Sequence, residues 1–217
     1  SSTAALSHLL DFGIGGSGSE QVILPDWLIS IGARMTAYTS MPIDLPAGSR
    51  IAARCQGSGS STQLQVRALT SRGGLLSPPS AGRVLAIGTD ASDSGGQVID
   101  PGGTTNTYGS WTELTASTTA DIAAVRVCLG MRENAGPVGS VPSYYLDIGV
   151  GAAASEQPII TALPFSMTAA GDFGAGGPHF WLPVSIPAGS RIAARARAAT
   201  TDATDRLFDL SLLALTI

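Results

Sequence analysis

The residues of this sequence best suited to chemistry are arginines and carboxylates that recur at matching places. Arginine fills all 12 lysine and arginine positions, since the sequence contains no lysine. A guanidinium group donates hydrogen bonds from a planar fork, so it pairs with carboxylates, phosphates or polar groups of another subunit. The recurring arginines are Arg50, Arg54, Arg191 and Arg195, and the recurring carboxylates are Asp11, Asp147, Glu20 and Glu156.

The arginines belong to a stretch, PAGSRIAAR, that occurs identically at 46–54 and 187–195. Its proline and glycine predict a type I turn followed by a left-handed glycine, which closes a three-residue hairpin and fixes the register of the next strand. Two-residue alternation then places Arg50 and Arg54 on one face of that strand and points Cys55 inward on the other. We therefore expect the two arginines of each copy to share an outer sheet face.

Several interpretations of this arginine face stay open. The arginines could cover a solvated surface and pair with the recurring aspartates and glutamates. They could instead form a patch, used in the same way in both copies, that grips a partner subunit, or they could contact a phosphate or glycan. Because the turn alone does not require both arginines, the candidate interface residues are Arg50, Arg54, Arg191 and Arg195.

The remaining polar residues do not form a catalytic or metal-binding pattern. His8 and His179 occupy unmatched places without a ligand-spaced neighbour, and no Ser, His and Asp set recurs in both copies. Asp90, Asp93 and Asp100 lack EF-hand spacing, which favours a solvated loop over a calcium site. DIGVGAAASEQ lacks the third glycine of a dinucleotide-binding loop, and no predicted helix follows it. We expect no enzymatic activity, cofactor or metal.

The elements that carry these residues are short strands. Apolar runs such as AAVRVCL, SYYLDIGV and FDLSLLAL alternate with Gly, Pro, Ser, Asn and Asp clusters. The repeat also extends outside the arginine stretch, because residues 9–24 match residues 145–160. The pattern predicts an all-β protein of two tandem antiparallel β-sandwich domains, jelly-roll-like and related by internal duplication.

We expect three segments: a first module at 1–70, a Gly/Ser/Pro-rich connector at 71–109 that carries a small hairpin, and a second module at 110–217. Residues 110–131 supply two opening strands to the second copy, and the first copy has no counterpart of them. We therefore expect the sequence to be a truncated part of a longer chain. Cys55 and Cys128 are expected to be buried free thiols.

Charge and hydropathy restrict the class of partner. The formal net charge is −4, which argues against nucleic-acid binding. No apolar run approaches the roughly 20 residues of a membrane-spanning helix, so we expect no membrane insertion.

The phrases SYYLDIGVGAAASEQPII, WLPVSIPAGSRIAAR and DPGGTTNTYGSWTELTAS resemble virion structural proteins of tailed bacteriophages. The resemblance implies tandem β-sandwich or jelly-roll modules and a location in the virion. It also implies homo-oligomer formation and packing against other virion proteins in a tail, fibre, baseplate or capsid appendage.

Two other functions are compatible with a β-sandwich. A module that binds host-surface glycan would use aromatic side chains, here Trp27, Tyr38, Trp111, Tyr144, Tyr145 and the run His179, Phe180 and Trp181. A polysaccharide hydrolase would need two carboxylates about 5 to 10 Å apart, and the recurring ones are Asp11/Asp147 and Glu20/Glu156.

Overall fold

A computed structural model of the chain describes residues 6–31, 41, 43, 45–57, 66, 83–131, 143–166, 180–199 and 207–217. These residues form thirteen strands and no helix, and every strand pairing among them is antiparallel. The predicted all-β, antiparallel class is therefore confirmed.

Two of the sheets repeat one arrangement. In the first, β1 (Leu6–Ile14) lies between β2 (Gln21–Ile31) and β3 (Ile51–Gly57). In the second, β9 (Ser143–Val150) lies between β10 (Gln157–Ser166) and β12 (Ile192–Ala198). The second sheet has a fourth strand, β7 (Thr112–Thr115), on the outer edge of β12.

The registers of these two sheets also match. Asp11 lies opposite Arg54 in the first sheet, and Asp147 lies opposite Arg195 in the second. The two sequence copies thus place their recurring residues at the same positions relative to one another.

The third sheet has six strands, of which five follow one order and the sixth pairs off that path. The order is β11 (Leu182–Ile186), β8 (Ile122–Met131), β13 (Phe208–Thr216), β6 (Gly95–Ile99) and β5 (Thr89–Asp90), and β4 (Val84–Ile87) also pairs with β13. All nine residues of β13 are buried, so both faces of this sheet are covered along that strand.

Two hydrophobic cores lie on opposite faces of the third sheet. Phe208, Leu210 and Leu212 of β13 enter the core shared with the four-stranded sheet, where Phe208 meets the stacked rings of Tyr144 and Phe165. The alternate residues Leu213 and Leu215 pack with β1 and β2 in a second core. The described strands therefore form three layers, with the third sheet in the middle.

The second core also contains a buried charged side chain. Arg126 is buried there with its guanidinium 5.6 Å from the centre of the Trp27 ring, and burial lowers the pKa of Arg126. Cys128 is buried in the same core, and burial raises the pKa of its thiol to about 11.

Part of the predicted connector belongs to the central sheet. β4 and β6 both pair with β13, and β5 forms a two-residue hairpin ladder with the start of β6. Residues 71–82 lie outside the described ranges. The module boundaries at 1–70, 71–109 and 110–217 stay a prediction.

The PAGS turn departs from the predicted hairpin. Gly48 and Gly189 both have φ of 82°, which is the left-handed conformation that was expected. However, the amide of Ser49 bonds the carbonyl of Pro46, so glycine is the third turn residue rather than the fourth. In the second copy the turn joins β11 to β12, and these two strands lie in different sheets. A short turn therefore does not determine which sheet the next strand joins.

Candidate functional site

The four candidate arginines each bind a carboxylate that the repeat also preserves. Arg195 donates from Nε and Nη2 to Oδ2 of Asp147 at 3.0 and 2.9 Å, and Arg191 donates from Nη1 to Oε1 of Glu156 at 2.8 Å. In the first copy, Nε of Arg54 lies 2.5 Å from Oδ2 of Asp11, and Nη1 of Arg50 lies 2.6 Å from Oε1 of Glu20. The pairing of the recurring arginines with the recurring carboxylates, which was one interpretation of the sequence, is present in both copies.

The aspartates of these pairs also hold a neighbouring strand. Oδ1 of Asp11 accepts the backbone N–H of Asp26 at 2.6 Å, and Oδ1 of Asp147 accepts that of Ala162 at 2.9 Å. Asp26 and Ala162 have positive φ values of 41° and 50°, at matching irregularities of β2 and β10. Each aspartate therefore fixes both an arginine and a strained backbone position.

The pKa values follow from these contacts. The hydrogen bond from Arg50 lowers the pKa of Glu20. Burial would raise the pKa of Glu156, but the hydrogen bond from Arg191 and those from the backbone hold it below its ordinary value. The hydrogen bond to Asp11 raises the pKa of Arg54. These contacts therefore favour the charged forms of Glu20, Glu156 and Arg54.

In the second copy, the arginine face is covered by aromatic rings. The guanidinium of Arg195 lies between Trp111 and Tyr108, at 4.5 and 4.4 Å from the ring centres. Arg197 lies 5.0 Å from the Tyr108 ring and 4.7 Å from the Tyr145 ring. This aromatic–arginine stack, formed by Trp111, Arg195, Tyr108, Arg197 and Tyr145, stabilises the outer face through cation–π contacts.

Tyr108 and Trp111 are fixed by further contacts. The hydroxyl of Tyr108 donates to Oδ1 of Asp147 at 2.9 Å, and burial together with this bond raises the pKa of Tyr108. The Trp111 ring lies over Gly149, where an added Cβ would be 2.8 Å from the ring. Gly149 is therefore required for close approach of the indole.

The segment that carries these rings continues along the edge of β12. Its strand β7 pairs with β12, and Oε2 of Glu113 accepts a second hydrogen bond from Arg191 at 2.7 Å. Farther on, the Thr118 carbonyl accepts the Gly189 amide, and the Thr118 hydroxyl donates to the carbonyl of Pro187. Segment 108–118 thus contacts both the arginine face and the PAGS turn of the second copy.

The corresponding face of the first copy is open in the described residues. Arg54 has a side chain that is 79% exposed, against 28% for Arg195. The opposite face of β3 is also less covered, because Ile51 is 37% exposed whereas its counterpart Ile192 is fully buried. β3 pairs only with β1 in the part of the chain that the structure describes.

Cys55, which shares a face of β3 with Ile51, departs from prediction. Its side chain was expected to be buried, but it is exposed, whereas Cys128 is buried as expected. Both cysteines are free thiols. Alternation correctly assigns Cys55 to a face of β3 but cannot tell whether another element covers that face.

The predicted loop aspartates have local structural roles. Asp90 accepts the Ser92 amide, Asp93 the Gly95 amide and Asp100 the Gly102 amide, at 2.8 to 2.9 Å. Within the described ranges, no three His, Cys, Asp or Glu side chains lie together as a metal site would need.

The aromatic residues considered for glycan binding are mostly engaged in packing. Trp27 and Tyr144 are buried, and Trp111 and Tyr145 belong to the aromatic–arginine stack. Phe180 is 55% exposed, while Tyr38 and His179 lie outside the described residues. A glycan partner stays a prediction.

Sequence reasoning missed the roles of Tyr108, Glu113 and Arg197. Tyr108 and Glu113 lie in the segment without a first-copy counterpart, so the repeat did not draw attention to them. Arg197 continues the alternation of Arg191 and Arg195 along β12, and this was the available signal.

Comparison with protein-family models, curated protein sequences and solved structures found no match to this chain. The part of the chain that is described also contains no helix long and apolar enough to cross a membrane.

Proposed function

We propose that this chain is a non-enzymatic structural component of a tailed-phage virion that acts by packing against other subunits. Its place would be in a tail, baseplate or capsid appendage, with further copies of itself and other virion proteins as partners. The resemblance of three of its sequence phrases to virion proteins supports this proposal, and the antiparallel all-β fold is compatible with it.

The observation that carries the proposal is the outer edge of β3, which pairs with no strand among the residues that the structure describes. An exposed sheet edge presents unpaired backbone groups and readily pairs with another chain. On this edge, Arg50 and Arg54 present guanidinium groups, and Ile51 presents apolar surface. The mixture of backbone, charge and apolar surface suits a protein interface.

The use of the recurring carboxylates favours a structural role over hydrolysis. Asp11, Asp147, Glu20 and Glu156 each bind an arginine within the chain. A glycoside hydrolase needs one carboxyl group that stays protonated to act as an acid. The pKa of Glu20 and that of Glu156 are instead lowered by their contacts.

The finer architecture is part of the same proposal. Two jelly-roll-like modules related by duplication would explain why β2-β1-β3 and β10-β9-β12 have the same order and register. In this arrangement the first module would be completed by a strand that another part of the assembly supplies.

The experiment is mass spectrometry of purified phage particles from the virus that encodes the chain. We expect peptides from both copies in intact, density-banded particles at a stoichiometry of several molecules per particle. Phage lysate proteins that do not band with particles provide the control. Absence of the chain from banded particles would overturn the proposal.

A further inference from the structure

The two arginine faces differ in one respect that indicates a partner. In the second copy, segment 108–118 lies on the face and along the edge of β12. The Trp111 ring covers Gly149 and Arg195. The Tyr108 ring covers Arg195, and its hydroxyl donates a hydrogen bond to Asp147. Glu113 accepts a hydrogen bond from Arg191, and Thr118 forms hydrogen bonds with the PAGS turn that precedes Arg191.

Each residue that receives these contacts has an identical counterpart in the first copy. The receiving residues are Asp147, Gly149, Pro187, Gly189, Ser190, Arg191 and Arg195, and their counterparts are Asp11, Gly13, Pro46, Gly48, Ser49, Arg50 and Arg54. The preserved set therefore extends beyond the residues of a turn to most of the contact surface for a segment of this kind. Two contacted residues differ, because Ala196, which accepts the Gly109 amide, and Arg197, which lies over Tyr108, correspond to Cys55 and Gln56 in the first copy.

The first copy makes fewer contacts at this surface. Arg191 binds two carboxylates, Glu113 and Glu156, whereas the ion pair found for Arg50 is with Glu20. Arg195 lies between two rings, whereas Arg54 is 79% exposed. Within the described residues, the first copy thus lacks the counterparts of one acid, two aromatic rings and one strand.

We propose that β3 and its arginine face bind an extended strand from another subunit with the chemistry of residues 108–115. That strand carries two aromatic residues three positions apart and an acidic residue two positions after the second aromatic. The inference deepens the proposed function, on which it rests, by stating what chemistry the partner brings. It also accounts for the preservation of PAGSRIAAR, because both copies keep one binding surface.

The physical basis is strand addition to an open edge. The incoming backbone would pair with Ile51, Ala52 and Ala53, as β7 pairs with Ile192, Ala193 and Ala194. Backbone hydrogen bonds supply affinity, and the aromatic rings over Arg54 together with an acid at Arg50 supply specificity.

A second β3 strand is a poorer occupant of this edge. Edge-to-edge pairing of two copies would bring Arg50 and Arg54 of one chain towards the same arginines of the other. Like charges on facing strands are destabilising. A strand with an acid and no arginine avoids this repulsion.

The test uses the purified full chain and a fluorescent peptide of residues 107–118, TYGSWTELTAST. We expect saturable binding by fluorescence anisotropy and slower amide exchange at Ile51–Gly57. A peptide with Tyr108→Ala and Trp111→Ala should bind at least about ten-fold weaker, because it loses the stacking on Arg54. The variant Arg54→Ala should weaken binding similarly, whereas Arg83→Ala, which removes an exposed arginine just before β4, should not.

Three results would overturn the inference. The first is no saturable binding to monomeric chain. The second is protection confined to Ile192–Ala198 with faster exchange in β7, which would mean exchange with the chain's own segment. The third is self-association of a chain that binds no peptide, if Arg54→Ala abolishes that self-association. This result would assign the edge to a second copy of the chain. A chain that is present in virions but binds no peptide would lose this inference and retain the proposed function.

Discussion

Asp147 and Arg195 lie opposite each other on β9 and β12 and are joined by two hydrogen bonds to one carboxylate oxygen. The other oxygen accepts the Tyr108 hydroxyl and the Ala162 amide. The buried carboxylate of Asp147 on β9 therefore connects this strand to β12, to β10 and to the segment that carries Tyr108. Asp11 and Arg54 repeat the relationship in a more exposed setting.

Replacement of Asp147 by alanine should lower the free energy of unfolding by about 2 to 4 kcal/mol, since it leaves four hydrogen-bond donors on three residues without their acceptor. The matched variant is Asp11→Ala. It should cost less, about 1 kcal/mol, because Arg54 is largely solvated. Chemical denaturation of both variants checks this, and equal losses would contradict the difference in burial.

Replacement of Trp111 by alanine should lower the free energy of unfolding by about 2 kcal/mol. The indole stacks on Arg195 and covers Gly149, so its removal loses both a cation–π contact and apolar burial. Phe180→Ala provides the control, because that ring is 55% exposed and its loss should change stability by less than about 0.5 kcal/mol. Thermal unfolding of the two variants at one pH measures the contrast, and similar midpoints would argue against the stack.

The turn glycines allow a symmetric test of the two copies. Gly48 and Gly189 have the same φ of 82°, and an added Cβ would meet no atom within 4 Å at either position. Alanine at either site should therefore cost about 1 kcal/mol from backbone conformation alone. Unfolding curves for Gly48→Ala and Gly189→Ala should shift equally. A clearly larger loss at one site would show that the two turns are not equivalent.

Sequence reasoning predicted the features that depend on local pattern and repetition. The strand character, the left-handed glycines and the pairing of Arg195 with Asp147 follow from alternation and from residues that recur together. It could not predict that the PAGS turn passes between sheets, since strand partners are chosen by long-range packing. The exposure of Cys55 and the stacking of Tyr108 on Arg195 have the same origin.

Asp26 gives a pH-dependent prediction whose sign is opposite to that of the carboxylates bound by arginine. Burial and the neighbouring charge of Asp11 raise its pKa above the ordinary 3.8, so its ionised form is less favourable in the folded state than in the unfolded state. The stability that it contributes is fully present below its unfolded pKa and is lost as pH rises through the folded pKa. Asp26→Asn should therefore stabilise the chain at pH 7, and asparagine also tolerates the positive φ at this position.

The pH profile separates the two causes of this gain. The electrostatic part should disappear as pH falls below about 3.8, because Asp26 is then protonated in both states, whereas a conformational gain would persist. Glu156→Gln provides the contrast, because the pKa of Glu156 is lowered in the folded chain. That variant should be destabilising at pH 7, and its deficit should shrink as pH falls through the folded pKa. Urea unfolding from pH 7 to pH 3 measures both profiles, and a gain for Asp26→Asn that grows towards low pH would contradict the assignment.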